Sequence, residues 1–186
     1  MAHYTTEIKE SHIAVADFLE RFVDVEKFLG YCKECKNYGV HNACPPYDFD
    51  PVDFWKEYSD LKVVGLKIMF DPDFAGKELD HEEWTKLYKE IIRKESRGLY
   101  HRLKEEEEQA ENRILLNPGS CIVCGDDRCD RRKAPCAHPE LRRFSIESLG
   151  GDVPAVSKEV IGLELKWIEA GKVPEYLVLV GGMLYK

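Results

Sequence analysis

The sequence predicts an α+β protein built on a small mixed or antiparallel sheet with covering helices. Three observations predict it. Leu61 to Phe70 (LKVVGLKIMF) and Tyr176 to Tyr185 (YLVLVGGMLY) are short apolar runs rich in strand formers and bounded by turn residues. Trp84, Leu87, Tyr88, Ile91 and Ile92 recur at helical spacing behind the capping-box pattern Asp80-His81-Glu82-Glu83. Between such segments lie clusters of Gly, Pro, Asn and Asp, which break regular structure.

Taken in order, Ile13 to Phe22 (IAVADFLERF) fits either a strand or a short helix. Asp24 is an N-cap for a short helix over Val25 to Leu29, which Gly30 is expected to end. Asp50-Pro51-Val52-Asp53 combines a cap, a proline in the first turn and an acidic third residue, so a helix runs from there to Tyr58. Asp71-Pro72-Asp73 stops the strand at 61–70. An unbroken helix from 80 to 113 would be about 50 Å long, so Gly98 is the expected break or kink, with Leu99, Leu103, Ala110 and Ile114 continuing a thinner stripe. The acidic run Glu105 to Glu108 reads as a solvated helix face. Ser145-Ile146-Glu147 opens a short helix ending at Gly150-Gly151, and Pro154 to Trp167 reads as a further helix. Gly181-Gly182 marks a bulge or a close backbone approach in the last strand. The whole chain, 1–186, is expected to be a single domain.

Composition narrows the function. With 27 basic and 35 acidic residues the net charge is -8, which argues against a protein that coats nucleic acid or an anionic membrane. No apolar stretch approaches the roughly 20 residues that cross a bilayer. The first seven residues, MAHYTTE, carry no basic and apolar leader. The expectation is a cytoplasmic protein with no nucleic-acid and no membrane partner.

The cysteines carry the chemistry. All seven fall in two short windows, Cys32, Cys35 and Cys44 in one and Cys121, Cys124, Cys129 and Cys136 in the other. In a reducing compartment such thiols bind metal or do redox work more often than they form disulfides. A lone buried cysteine behaves as a small hydrophobe, but these sit among Lys33, Glu34, Lys36 and Asn37, and among Asp126 to Lys133. Breakers precede both windows, Gly30 for the first and Asn117-Pro118-Gly119-Ser120 for the second. The fold class is therefore completed by two loop-borne cysteine metal sites.

The second window reads C-x2-C-x4-C-x6-C. Four thiolates satisfy a structural zinc or a 4Fe-4S cluster. Zinc ribbons separate two C-x2-C knuckles by a longer spacer, whereas one compact run with Pro135 and Pro139 beside its last Cys is nearer to ferredoxin runs. The first window, C-x2-C-x8-C-P-P, offers three thiolates. A 4Fe-4S cluster there would keep an open iron position, and a zinc would take His41 as fourth ligand in C-x2-C-x5-H-x2-C. His41 is otherwise a plain loop histidine. His138 either donates to a sulfur of the second site or lies on the surface. Residues 121–143 carry six basic and four acidic side chains, an excess that would offset a thiolate-bound cluster or attract a small anionic ligand or an electron-transfer partner.

Several of these features together resemble the prokaryotic predicted metal-binding proteins, a domain family of unknown function. They are Cys32-x2-Cys35-Lys-Asn-Tyr38-Gly39, Cys44-Pro45-Pro46, Gly119-Ser-Cys121-x2-Cys124, Pro135-Cys136-x-His138-Pro139, Ser145-x-Glu147 with Gly151-Asp152-Val153, and the closing strand from Gly171 to Leu184. The resemblance implies that all seven cysteines are ligands and that iron–sulfur clusters are the cargo. It supplies no reaction. Three functions remain open: a cluster-dependent redox protein or enzyme, a zinc-stabilised interaction module, and a carrier of clusters or sulfur. No phosphate loop, G-x-S-x-G or H-E-x-x-H is present in the sequence.

Overall fold

The computed structural model describes residues 4–125, 129–166 and 172–186. Its centre is a four-stranded antiparallel sheet in the order β1-β2-β4-β3, made of β1 (Tyr4–Ala14), β2 (Asp60–Phe70), β3 (Arg113–Leu116) and β4 (Tyr176–Tyr185). Around it lie α1 (Val15–Phe22), α2 (Val25–Lys33), α3 (Pro51–Lys56), α4 (His81–Glu107), a 3-10 turn (Glu147–Leu149) and α5 (Val153–Val160). Among the described residues no helix is long and apolar enough to cross a membrane.

β2 is apolar on both sides because both are covered. Leu61 and Val63 face a core formed with Phe18, Trp55, Ile146, Leu149 and Val156. Val64, Leu66 and Ile68 face a second core formed with Trp84, Ile91, Leu99 and Leu103 of α4. Period-two alternation in one strand thus feeds two separate cores. Trp55 locks the first by donating its indole N–H to the Leu149 carbonyl at 3.0 Å.

The strands at 61–70 and 176–185 and the capping box at Asp80 form as expected, and the Asp80 carboxylate accepts from the Glu83 N–H at 2.8 Å. Several boundaries differ. Residues 13–22 divide into the end of β1 and all of α1. α2 runs through Gly30, and α4 runs through Gly98 for 27 residues, about 40 Å. At both glycines a Cβ would meet nothing, so their cost is only the propensity term of about 1 kcal/mol. In α4 the burial of Trp84, Ile91, Leu99, Tyr100 and Leu103 outweighs it. Ile114 is in β3, not on the helix. α5 stops at Val160, and Trp167 lies outside the described residues.

The acidic run is only half solvated. Glu105 and Glu108 are exposed, whereas Glu106 takes the Lys62 ammonium at 2.5 Å and Glu107 takes the Arg143 guanidinium at 2.7 Å. Gly181 and Gly182 are a close approach without a bulge, since the register on both sides is unbroken. A Cβ would lie 2.9 Å from the Leu116 carbonyl at Gly181 and 2.9 Å from the Lys62 carbonyl at Gly182.

Candidate metal centre

The first cysteine segment starts on α2. The Asp24 side chain caps that helix by accepting from the Lys27 N–H at 3.0 Å, so Cys32 is placed by the helix's last turn, not by a loop. The chain then coils through tight turns. Cys35 N–H donates to the Cys32 carbonyl at 3.0 Å, Tyr38 N–H to Cys35 at 3.0 Å, and Cys44 N–H to His41 at 3.1 Å. Gly39, at φ +65°, lets the turn close onto the Pro45 carbonyl at 2.9 Å. These turns coil the segment that carries Cys32, Cys35 and Cys44 back on itself.

The three thiols feel each other. Burial, then the charges of Cys35, Cys32 and Glu147, push the Cys44 thiol up to about 12. Burial, then Glu147 and Cys35, raise Cys32. Glu147 opens the 3-10 turn packed against α2, and it accepts from the Ser145 side chain and its own N–H. Burial raises its carboxyl, and among the described residues no Lys or Arg pairs with it. Burial and like charges thus disfavour the thiolate at Cys32 and Cys44, against a smaller opposing pull from Arg131 at Cys44, and a bound metal reverses that preference.

The second segment is delivered by β3 and the turn at 117–120. Asn117 fixes that turn, its N–H donating to the Phe144 carbonyl and its amide to the Arg143 carbonyl, both at 2.7 Å. Cys121 packs on one core, and Ile122 and Val123 pack on the other. Cys121, Cys124, Cys129 and Cys136 all line a single narrow cleft, together with His138 and Arg142. The space at its heart is about 10 Å³, the size of one water or ion. All seven cysteines are free, and six are half-buried while Cys35 is exposed. Among the described residues no three His, Cys, Asp or Glu side chains are already gathered as a single bound ion would gather them.

The two segments interlock. Arg131, two residues beyond Cys129, reaches into the first loop and donates to the Pro46 and His41 carbonyls at 2.7 Å each and to the Cys44 carbonyl. Its own N–H donates to the Val40 carbonyl at 2.7 Å. In return, Asn42 of the first loop donates both its N–H and its amide to the Cys129 sulfur, at 3.3 and 3.4 Å. The Asn37 amide adds a bond to Ser120 at 2.9 Å.

The histidines fall together. His41, although it comes from the first segment, lines the cleft of the second. It is 8% exposed, accepts from the Ala43 N–H at 3.4 Å and is hydrogen-bonded to the Cys121 backbone. Burial and then the Arg131 charge lower its pKa, which keeps the ring neutral. His138 lines the same cleft, half-exposed, 3.9 Å from Glu140. Nothing in the cysteine spacing marks Asn42, Arg131 or Glu147; Asn42 and Arg131 sit inside the windows, Arg131 counts in the basic excess, and Glu147 stands in the Ser145-x-Glu147 motif, but none of these signals gives a role.

A family model for predicted metal-binding proteins, DUF2284, matches residues 20–185. The chain belongs to that family. No curated protein and no solved structure matches it. The match takes in both cysteine windows and every strand except β1, so the family's predicted metal binding applies to a region that includes the whole thiol assembly. The donor chemistry suits that description. Seven free thiols in two groups, with N–H donors aimed at one sulfur, are soft donors of the kind that bind metal through sulfur.

Proposed function

We propose that this chain is a cytoplasmic iron–sulfur protein with two thiolate-held 4Fe-4S centres. Cys121, Cys124, Cys129 and Cys136 would hold a closed, electron-transfer centre. Cys32, Cys35 and Cys44 would hold one whose fourth position is open to redox or small-molecule chemistry. The observation that carries this reading is the unequal division of thiols between two interlocked segments, four lining one cleft and three in the coiled segment from the end of α2 to Pro45.

When bound, such a cluster supplies one-electron transfer and, at an uncapped iron, Lewis acidity. The chain supplies the surroundings. An apolar cleft of about 170 Å³, walled by Leu29, Pro45, Tyr47 and Phe49, lies on the chain just beyond Cys44 and is of a size for a small molecule. The Arg131 charge lies between the two groups and favours thiolate over thiol at Cys44. The basic excess around the second segment suits an electron-transfer partner or a small anion.

A zinc-stabilised module is the second reading, favoured by the small space between the four thiols. A cluster there requires the thiols to turn outward. Purification without oxygen separates the two readings. Brown protein with iron, acid-labile sulfide and broad visible absorbance is the expected result. Colourless protein with stoichiometric zinc overturns the cluster reading.

A further inference from the structure

Asn42 lies between Cys35 and Cys44, inside the loop that the first group closes, yet both of its N–H donors point at a sulfur of the second group. Its neighbours fix it there. Arg131 grips the carbonyls of His41 and Cys44 on either side of it, and His41 is pinned by Ala43 and Cys121. Asn42 is therefore held by the same turns that bring Cys44 to its group.

We propose that Asn42 is a positioning residue of the four-cysteine centre, aiming two N–H donors at the Cys129 ligand sulfur and making the properties of that centre depend on the three-cysteine loop. The inference rests on the metal-centre reading above. N–H donors place positive charge at the sulfur and so favour the more negative, reduced state of a bound cluster. They also hold the Cys129 sulfur in place, so that losing them loosens a ligand and speeds release of a bound ion. Since the donors belong to the first loop, anything that loosens Cys44 withdraws them from Cys129.

The test compares wild-type protein with Asn42→Ala and Asn42→Asp, purified without oxygen. Metal and sulfide content and the midpoint potential are measured, and the signal of the four-cysteine centre is identified as the one abolished by Cys129→Ser. Asn42→Ala is expected to shift the reduction equilibrium roughly tenfold toward the oxidised state, about 59 mV for a one-electron couple. Asn42→Asp, with a carboxylate in place of the amide donor, shifts it further. A residue that merely kept the loop shut would not order the two variants by charge. Full cluster content with unmoved potentials in both variants overturns the proposal and leaves the cluster reading intact. If the protein holds zinc, the cluster reading fails, and the proposal then predicts several-fold faster zinc release to a chelator from the site that Cys129→Ser abolishes; unchanged release overturns it. Loss of metal at that site alone, in a folded variant, supports it. A wild-type protein that binds no metal, or two variants that do not fold, overturns it.

Discussion

Arg131 is the most informative residue to remove. Its guanidinium donates to the Pro46 and His41 carbonyls at 2.7 Å and to the Cys44 carbonyl, and so clamps the loop between Cys35 and Pro46. Charged donors contribute roughly 1.5–3 kcal/mol per hydrogen bond. The side chain is only half-buried, and water can replace part of each bond, so Arg131→Met should cost about 2–3 kcal/mol of local closure. That is roughly a 30- to 150-fold rise in the open population of the loop, at about 1.4 kcal/mol per tenfold. The assay is alkylation of Cys44 in metal-free protein at fixed pH, read by peptide mass, with Cys121 as an internal control on the core side. Cys44 should label tens of times faster in the variant while unfolding by denaturant changes little. Labelling of Cys44 within threefold of wild type, in a folded variant, would refute the clamp and with it the coupling of the two loops.

Other outcomes follow from the packing and the charges. Burial alone would raise the Glu107 carboxyl, but hydrogen bonds from Arg143, Lys104 and the Leu115 N–H overcome it and hold the group below the usual range. Its contribution is therefore complete above the unfolded value near 4.3 and is lost as pH falls through the lower folded value; denaturant titrations from pH 6 to 3 should show Glu107→Gln flattening the acid limb. At neutral pH, Glu107→Ala should cost about 3 kcal/mol, because it leaves the largely buried Arg143 charge without its carboxylate, held only by the Glu140 and Arg142 carbonyls. Gly181→Ala puts a Cβ 2.9 Å from the Leu116 carbonyl and 3.2 Å from Leu103, so it should destabilise by about 1–3 kcal/mol in urea unfolding and loosen β3 from β4. Asp24→Ala removes the α2 cap at a cost of about 1 kcal/mol and should lower metal retention at the Cys32 group before that of the Cys121 group, as metal analysis after limited chelation would report.

The sequence by itself determined the strands at 61–70 and 176–185, the caps at Asp24, Asp50 and Asp80, and the division of thiols into a three and a four, because these depend on neighbours within a few positions. It misjudged Gly30 and Gly98, where a weak local preference meets a buried apolar face, and it read Glu106 and Glu107 as solvent-facing because their partners Lys62 and Arg143 are 44 and 36 positions away. Only the tertiary structure decided that His41 belongs to the second group's cleft, that Glu147 joins the first, and that Asn42 and Arg131 tie the two loops together. The physical reason is range: a turn or a cap is fixed by adjacent residues, whereas a hydrogen bond between loops 87 positions apart exists only once the sheet and its two cores have set the distance.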